Sequence, residues 1–437
     1  MKRVIVLGGG ESGVGAALLA HKKNNKVFLS EYGSIKEISK AELDQHNIRF
    51  EEGGHTLEII KEADVVIKSP GIPEEAAIIK SIRQEGIEII SEIEYAFQHC
   101  TAKIIGITGS NGKTTTTLMI YDLLVKSGFD VGLCGNVGFS FARLLSEQVQ
   151  KAWYVIELSS FQLDDIKTFR PDIAILLNIT ADHLDRYQGD ITLYAKAKFK
   201  IAQNQNKNDL LIYNGEDDII ENKLSSIDKG QRLLKIEISK QENISLLTSK
   251  EATIDIADFP LKGEHNKLNA LFAVEAALDI GLTLDEVQGN LVTFNNASHR
   301  MESVASIDNV LYINDSKATN VDAVFYALDA FKKSIVWIVG GKDKGNDYER
   351  LLPLVLQKVK AIICLGVDNS KLIEYFTPYI KIVEETQDIN EAVGIASQYA
   401  ESGDIVLLSP ACASFDLFDH YEQRGDLFKE AVFNLLN

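Results

Sequence analysis

The chain has 437 residues, of which 45% are hydrophobic, and a formal net charge of −18. A chain of this length is usually too long to fold around one hydrophobic core, so we expect two or three domains. The acidic balance argues against nucleic acid or an anionic membrane surface as the main partner. We expect no membrane span, because no apolar run is long enough, and no disulfide framework or zinc site, because the four cysteines form no C-x-x-C pair. A cytoplasmic location fits this cysteine usage.

In the first part of the chain, short β-branched runs alternate with amphipathic stretches. The runs are Arg3–Leu7, Val27–Glu31, Val65–Lys68 and Ile87–Ile90. This alternation predicts a parallel sheet with helices on its faces.

A glycine-rich turn at residues 8–13, G-G-G-E-S-G, follows the first predicted strand. It fits G-x-G-x-x-G, and Glu31 ends the second strand near the ribose position of a dinucleotide site. Glu11 is a poor neighbour for a pyrophosphate, so a diphosphate ligand of some kind is favoured over a redox cofactor. An NAD-dependent dehydrogenase acting on a nucleotide sugar stays open as an alternative. Ser69 and Gly71 end the third strand at the same edge of the sheet.

The stretch Lys103–Thr117, K-I-I-G-I-T-G-S-N-G-K-T-T-T-T, predicts a strand, a phosphate-binding loop and a helix. Gly109 and Gly112 allow successive backbone N–H groups to face a phosphate chain, and the helix adds its positive N-terminal end. Lys113 can reach the terminal phosphates and Thr114 can ligate Mg²⁺. An isoleucine replaces the usual first glycine of the motif. The loop predicts nucleotide binding without indicating what the nucleotide is for.

Three more strands are predicted after the loop, at Trp153–Leu158, Asp172–Ile179 and Asp209–Tyr213. Glu157 comes at the end of the first of these, where a carboxylate can serve Mg²⁺. His183 follows the second strand in N-I-T-A-D-H-L-D-R, among two aspartates and an arginine, which favours a metal or ligand site over a structural histidine. A lysine-rich helix, Y-A-K-A-K, comes next, and the residues alone single out none of its lysines.

The rest of the chain is predicted to hold small strands or an excursion over Ser225–Ile256, a helix over His265–Ile280, and a third α/β unit after Ala297. Strands of the third unit are predicted at Val310–Ile313, Ile335–Val339, Ala361–Leu365, Ile380–Val383 and Ile405–Leu408.

Polar clusters follow several strands of this third unit. They are N-D-S-K-A-T-N at 314–320, G-G-K-D-K-G at 340–345 and S-P-A-C-A-S at 409–414, with Y-E-Q-R-G at 421–425 shortly after. Helix capping explains one polar residue of the first cluster but not the whole run. The second cluster is either an anion site or an ordinary turn. Cys412 is interpreted as a small buried thiol, because no histidine lies close to it in a triad-like motif.

With these motifs in their order, the chain resembles the Mur ligases, ATP-dependent enzymes that add amino acids to the peptidoglycan precursor. The blocks E-L-S-S-F-Q-L, D-H-L-D-R-Y, N-D-S-K-A-T-N and L-S-P-A-C-A-S-F-D are similar to those of the members that add D-glutamate. The resemblance spans the whole sequence. It implies an α/β fold of three domains: a Rossmann-like UDP-binding domain at 1–92, a central phosphate-loop ATPase domain at 93–297 and a Rossmann-like amino-acid-binding domain at 298–437.

The resemblance also implies roles for individual residues. ATP contacts are expected from Gly109, Ser110, Asn111, Gly112, Lys113, Thr114, Thr115, Asn269, Arg300 and Asp315. Substrate contacts are expected from Ser12, Glu31, Ser69, Gly71, Asn136, Ser159, His183, Lys317, Thr319, Lys344, Ser414 and Tyr421, the last standing where some relatives have phenylalanine. Two Mg²⁺ ions would be held by Thr114, Glu157, His183 and Lys198, with Lys198 on the family's carbamylated-lysine pattern. Catalytic roles fall on Lys113, His183, Lys198 and Arg300.

The implied reaction joins D-glutamate to UDP-N-acetylmuramoyl-L-alanine through an acyl phosphate, with release of ADP and phosphate. A monomer is expected. The alternatives are a Mur-type ligase for another amino acid, a folylpolyglutamate synthetase-like enzyme, the dehydrogenase above and a non-catalytic nucleotide-binding regulator.

Overall fold

The computed structural model describes residues 1–147, 149–227, 230–238, 245–249, 251–261, 263–343 and 345–436. It forms two compact units: the first comprises Met1–Phe259 and Leu268–Phe294, and the second comprises Pro260–Lys267 and Asn295–Asn437. The α/β fold class is confirmed, with two large sheets in the first unit and one in the second. The predicted boundaries at 92/93 and 297/298 stay predictions.

The first sheet is parallel throughout, with the strand order β3-β2-β1-β4-β5. Its strands are β1 Arg3–Leu7, β2 Lys26–Ser30, β3 Arg49–Glu51, β4 Val65–Lys68 and β5 Ile89–Ser91. The helices are α1 Glu11–Lys22, α2 Glu37–Gln45, α3 Leu57–Ile60, α4 Ala77–Gln84 and α5 Glu92–Phe97. Strand order reverses between β1 and β4, so ligands are expected beyond the carboxyl ends of these two strands.

The second sheet is also parallel, with the order β11-β10-β9-β6-β8-β7. Its strands are β6 Lys103–Thr108, β7 Val131–Gly135, β8 Trp153–Glu157, β9 Ile173–Leu176, β10 Leu210–Asn214 and β11 Arg232–Ile236. Its helices are α6 Lys113–Lys126, α7 Phe141–Glu147, α8 Ser160–Asp164, α9 Ile191–Phe199 and α10 Asp218–Ile227. Because β6 lies between β8 and β9, the segments that follow these three strands meet at one edge.

A two-stranded antiparallel sheet, β12 Ser245–Leu247 and β13 Thr253–Asp255, follows the second sheet. Two helices come next, α11 Glu264–Ile280 and α12 Leu284–Leu291. Helix α11 contributes residues to both units, since the division falls between Lys267 and Leu268.

The third sheet has the order β14-β15-β19-β16-β17-β18, in which only the β14–β15 pair is antiparallel among the described residues. Its strands are β14 Glu302–Ile307, β15 Val310–Asn314, β16 Ile335–Gly340, β17 Val359–Leu365, β18 Val383–Thr386 and β19 Ile405–Ala411. Its helices are α13 Val321–Asp329, α14 Leu352–Lys358, α15 Ser370–Phe376, α16 Ile389–Tyr399 and α17 Tyr421–Asn434.

The central strands of each sheet are buried on both faces. Every residue of β4, β9, β10, β16 and β19 is buried. Helices cover both sides of a parallel sheet, so such strands appear in the sequence as continuous apolar runs. The sequence predicted a strand at each of these five places.

Within the first unit, helix α1 of the first sheet packs against α7 of the second. The Arg143 guanidinium on α7 contacts the carboxylates of Glu11, Glu42 and Glu147. The Glu11 carboxylate also accepts a hydrogen bond from the backbone N–H of Ser140 at 3.0 Å. The acidic residue in the glycine turn, a poor neighbour for a diphosphate by sequence, is therefore engaged by the neighbouring helix.

Candidate active site

The phosphate loop, residues 109–112, connects β6 to α6. Gly112 has a left-handed backbone with φ of 83°, and a Cβ at this position would lie 2.4 Å from the Asn269 Oδ1 atom. Asn269, on α11, also has its Oδ1 atom 3.3 Å from the Thr116 Oγ1 atom. Glycine is required here both for the backbone conformation and for the close approach of Asn269.

The loop is held by the segment that follows β9. Asn178 accepts a hydrogen bond from the Asn111 backbone N–H at 2.8 Å and donates its own amide to the Asn111 carbonyl at 3.0 Å. The Ser110 hydroxyl donates to the Thr180 carbonyl at 3.0 Å and accepts from the Thr180 N–H at 2.9 Å. These bonds hold the loop backbone rigidly, which is what an anion site built from backbone N–H groups needs.

Glu157 lies at the carboxyl end of β8, beside the loop, and is 1% exposed. Its Oε1 atom accepts a hydrogen bond from the Asn136 side chain at 2.9 Å, and its backbone carbonyl accepts from the Asn136 N–H. Its Oε2 atom is buried and has no hydrogen-bond partner among the described residues. A buried carboxylate oxygen without a partner is costly unless a cation or donor meets it.

Lys198 stands out on helix α9, because it is 1% exposed whereas Lys196 on the same helix is exposed. Its amine donates to the Gly109 carbonyl at 2.7 Å, an oxygen that also accepts from the Lys113 amine at 2.8 Å. Burial, and then the nearby charge of Lys113, lower the pKa of the Lys198 amine well below its ordinary value. The structure thus distinguishes one lysine where the sequence could not.

His183 is the N-cap residue of a short 3-10 helix, Leu184–Tyr187, and has a left-handed backbone with φ of 52°. Its ring packs edge-on against Phe161 at 5.2 Å between centroids, and its side chain is 41% exposed. The Arg186 guanidinium lies over the same Phe161 ring, 4.5 Å from its centroid, and donates to the Gly71 and Pro70 carbonyls. Arg186 therefore connects the His183 turn to the loop that follows β4.

At the edge of the first sheet, Ser69 lies beside the glycine turn. A Cβ at Gly8 would come within 2.5 Å of the Ser69 Oγ atom, and that buried oxygen has no hydrogen-bond partner among the described residues. The Glu31 carboxylate accepts from the backbone N–H groups of Gly9 at 2.6 Å and Gly33 at 2.7 Å. Ser12 is half-buried in the first turn of α1. Three of the predicted positions, Ser12, Glu31 and Ser69, thus border the switch point between β1 and β4.

Ser159 is the N-cap of α8. Its hydroxyl accepts from the Gln162 N–H at 3.2 Å, and the Gln162 side chain accepts from the Ser159 N–H at 2.9 Å. This capping box is a complete structural account of the hydroxyl.

In the second unit, Asp315 follows β15 and is buried. Its carboxylate accepts hydrogen bonds from the Met301 N–H at 3.1 Å and the Ser409 hydroxyl at 3.0 Å. Burial raises the pKa of Asp315 to about 7, and the charge of Arg300 opposes that rise. The charge of Arg300 therefore reaches the carboxylate of Asp315; both residues were predicted ATP contacts.

The predicted amino-acid-binding residues of the second unit gather around the start of α17. The Lys317 amine lies 3.6 Å from the centroid of the Tyr421 ring. Thr319 donates its backbone N–H to the Lys317 carbonyl at 2.9 Å, and Ser414 is buried after β19. Lys344 lies outside the described residues. Cys412 is 1% exposed, which confirms the interpretation of a small buried thiol, and burial raises the pKa of that thiol to about 11.

Sequence reasoning missed Arg186 and Arg424 as site residues, although both stand in motifs that it quoted. Arg424 is 1% exposed and binds the backbone around the Lys317 and Ser414 loops. Arginine side chains are usually exposed, so only the position of each arginine inside a quoted motif could have indicated a role in the site.

Among the described residues, no three His, Cys, Asp or Glu side chains gather into a ready-made metal site. No helix among them is both long and apolar enough to cross a membrane.

These features define a phosphate-loop protein of the α/β class. Three family models match in chain order: "MurD N-terminal domain" over residues 3–78, "Mur ligase middle domain" over 107–277 and "Mur ligase, glutamate ligase domain" over 299–412. The chain belongs to the Mur ligase family.

Relatives named UDP-N-acetylmuramoylalanine--D-glutamate ligase match over the full length. The protein of Christiangramia forsetii is 46% identical over 99% of this chain and 100% of its own, and that of Bacteroides thetaiotaomicron is 44% identical over 99% of each. Two solved structures from Thermotoga maritima share the fold. UDP-N-acetylmuramate-alanine ligase has 20% identity and a TM-score of 0.63 with full coverage of both chains, and a MurF ligase in complex with ADP has 14% identity and a TM-score of 0.63 over 94% of this chain and 96% of its own.

Proposed function

We propose that the protein is an ATP-dependent ligase that joins D-glutamate to UDP-N-acetylmuramoyl-L-alanine, with release of ADP and phosphate. The observation that supports the reaction class is the meeting of the phosphate loop, Glu157 and Lys198 at one edge of the second sheet. The choice of substrates rests on the full-length similarity to ligases that carry these substrates in their name.

The phosphate loop is proposed to bind ATP. Backbone N–H groups of residues 109–112 and the positive end of α6 would meet the phosphate oxygens, and Lys113 would turn its amine from the loop carbonyls to the terminal phosphates. The L-alanyl carboxylate of the first substrate then attacks the γ-phosphate, giving an acyl phosphate and ADP. Attack by the D-glutamate amine on the acyl carbon forms the amide, the amine loses its proton and phosphate leaves.

The residues around the loop fit Mg²⁺, a hard cation that prefers oxygen ligands and keeps several waters and substrate oxygens in its shell. The proposed holders are the Thr114 hydroxyl, His183, Lys198 and the Oε2 atom of Glu157, which has no hydrogen-bond partner in the described part of the chain. When bound, Mg²⁺ neutralises charge on the phosphates. The small number of protein ligands agrees with the lack of a preformed cluster in the described part of the chain.

Carbamylation of Lys198 is part of this proposal. Only the neutral amine adds to carbon dioxide; the new N–C bond gives a carbamate, and a proton is released. Burial and Lys113 favour the neutral amine, because both lower its pKa. The carbamate replaces a cation with an oxygen ligand suited to Mg²⁺.

The edge of the first sheet is the proposed site for the UDP part of the substrate. Ser69 offers a buried hydroxyl without a described partner, and the crevice lies at the strand-order reversal where nucleotides bind in such sheets. Ser12, Glu31 and Gly71 border the same place, and Asn136 and Ser159 are assigned to the sugar and peptide portion. Because ATP is the proposed co-substrate, a cytoplasmic location is proposed with it.

In the second unit, Arg300 and Asp315 are proposed to contact ATP together with Asn269. Lys317, Thr319, Ser414, Tyr421 and Lys344 are proposed to bind D-glutamate.

The decisive experiment measures phosphate release with UDP-N-acetylmuramoyl-L-alanine and ATP while the amino acid is varied. D-glutamate should support turnover, whereas L-glutamate, D-aspartate, lysine, diaminopimelate and no addition should not. Turnover with lysine or diaminopimelate alone would identify a different Mur-type ligase. Phosphate release that is indifferent to D-glutamate would overturn the proposed substrate.

A further inference from the structure

Arg424 is a fully buried cation in the first turn of α17. Its residue is 1% exposed, and its guanidinium donates to the Ser316 hydroxyl at 2.9 Å and the Ser316 carbonyl at 2.8 Å. Longer hydrogen bonds, at 3.3 to 3.4 Å, reach the carbonyls of Gly340 and Cys412. All of these acceptors are neutral.

Among the described residues, the acceptors of this guanidinium are the Ser316 hydroxyl and backbone carbonyls, and none is a carboxylate. The carboxylate that most favours its charge is Asp416, whose Oδ2 atom accepts instead from the Val367 N–H at 3.1 Å. Burial lowers the pKa of Arg424 to about 10, so the group stays protonated at neutral pH. A buried charge is costly unless it is paired, and buried charges in proteins normally have a counter-ion.

Arg424 binds three loops at or directly after the ends of β15, β16 and β19. It contacts them at Ser316, Gly340 and Cys412, respectively. The loops are also joined to one another, since the Ala411 N–H donates to the Ala318 carbonyl at 2.9 Å and the Lys342 N–H to the Ala413 carbonyl at 2.8 Å. Gly341 allows this approach, because a Cβ there would lie 2.3 Å from the Ala413 carbonyl oxygen.

Arg424 also acts on the start of its own helix. The Ser316 hydroxyl, which accepts from the Arg424 Nε–H, donates to the Tyr421 carbonyl at 2.8 Å. Tyr421 in turn carries the Lys317 amine over its ring. One guanidinium thus sets the positions of the loops and of the helix start that hold the proposed D-glutamate-binding residues.

We infer that Arg424 is a positioning residue of the amino-acid pocket, which holds these three loops in register and supplies a positive charge, hydrogen-bonded only to neutral acceptors among the described residues, for the carboxylates of the incoming amino acid. The inference rests on the proposed function. Charge in a low-dielectric site acts over a longer distance than charge in water, so direct contact with the ligand is not needed.

The test compares Arg424→Met and Arg424→Lys in the full chain by the phosphate-release assay. Arg424→Met should raise the KM for D-glutamate at least about 10-fold while the KM values for ATP and for the UDP substrate stay within about twofold. Arg424→Lys, which keeps the charge but loses the fork, should show a smaller rise. If Arg424→Met does not fold, Arg424→Lys decides: its KM should rise for D-glutamate but not for ATP or the UDP substrate.

Val432→Ala on the same helix is the matched control. Val432 is fully buried and packs in a hydrophobic cluster with Phe428 and Ala431. Its truncation should therefore lower the melting temperature without changing the KM for D-glutamate. An unchanged D-glutamate KM in the Arg424 variants, or equal rises for all three substrates, would overturn the inference. A parent protein without D-glutamate-dependent phosphate release would instead overturn the proposed function.

Discussion

At the residue scale, burial decides which side chains can do chemistry. Lys196 and Lys198 lie on the same helix. Each follows an alanine in the sequence Y-A-K-A-K, so the sequence does not distinguish them. Only Lys198 is buried, and its amine shares the Gly109 carbonyl with Lys113. Desolvation of that amine is the physical reason why it, and not its neighbour, is suited to carbamylation.

Lys198→Ala is therefore expected to lose most activity, by about 100-fold or more in kcat. Bicarbonate cannot rebuild the side chain, whereas acetate can occupy the space of the lost carbamate and should restore part of the activity. Steady-state phosphate release with and without acetate is the measurement. Lys196→Ala is the control and should behave as the parent protein. Unchanged turnover in Lys198→Ala would show that the wrong lysine was chosen.

Glu157 presents a conflict between stability and function. Its Oε2 atom is buried and has no hydrogen-bond partner among the residues that the structure describes, so the carboxylate is costly in the absence of a cation. Glu157→Gln can keep the contact with Asn136 while it removes the charge. We expect this variant to have a higher melting temperature than the parent in EDTA, and at least about 10-fold lower turnover at saturating Mg²⁺.

Thermal unfolding in EDTA and in Mg²⁺ with ATP checks this expectation. The parent should gain more stability from Mg²⁺ and ATP than the variant does, because a ligand stabilises the state that binds it. Equal stabilisation of both proteins would argue against Glu157 as a metal holder.

At the element scale, the contact between α5 and α7 contains a buried carboxylate. Glu92 is 2% exposed, its Oε1 atom accepts from the Ala142 N–H at 2.5 Å, and burial raises its pKa to about 7. The folded protein holds this proton more tightly than the unfolded chain, whose ordinary value is 4.5. The contribution of Glu92 to stability is therefore greatest below pH 4.5 and is lost as the pH rises to about 7.

Glu92→Gln cannot ionise, so its stability relative to the parent should increase between pH 4.5 and pH 7 and level off above. The difference is limited to about 3 kcal/mol by the size of the pKa shift. Urea unfolding of both proteins across this range measures it. The exposed Glu75→Gln serves as a control and should show no such trend. A pH-independent difference for Glu92→Gln would show that the carboxyl does not titrate there.

At the scale of the whole molecule, charge is the dominant property. The net charge of −18 makes copies of the chain repel one another at low ionic strength, which favours a monomer. Light scattering after gel filtration should give 48.4 kDa in both low and high salt. A species of twice that mass in low salt would contradict the expectation, because repulsion is strongest there.

The strands that the sequence predicted well are those in the middle of the sheets. Arg3–Leu7 and Val65–Lys68 were predicted to the residue. The strands β3, β7 and β14 were not predicted, and β18 starts three residues after the predicted start at Ile380; all four are edge strands. An edge strand is paired on one side only, and β3, β14 and β18 are mostly exposed or half-buried, so their residues need not be apolar and the pattern is weak. Strand β7 is mostly buried, but its two glycines interrupt the apolar run.

The sequence by itself determined the α/β class, the phosphate loop and the order of the polar clusters, because backbone conformation and strand burial leave periodic, local traces. Tertiary structure alone decided which side chains lose water. It buried Lys198 but not Lys196, left the Glu157 Oε2 atom without a partner among the described residues, and buried Arg424 among three loops. Burial depends on residues far apart in the chain, so no local pattern contains it.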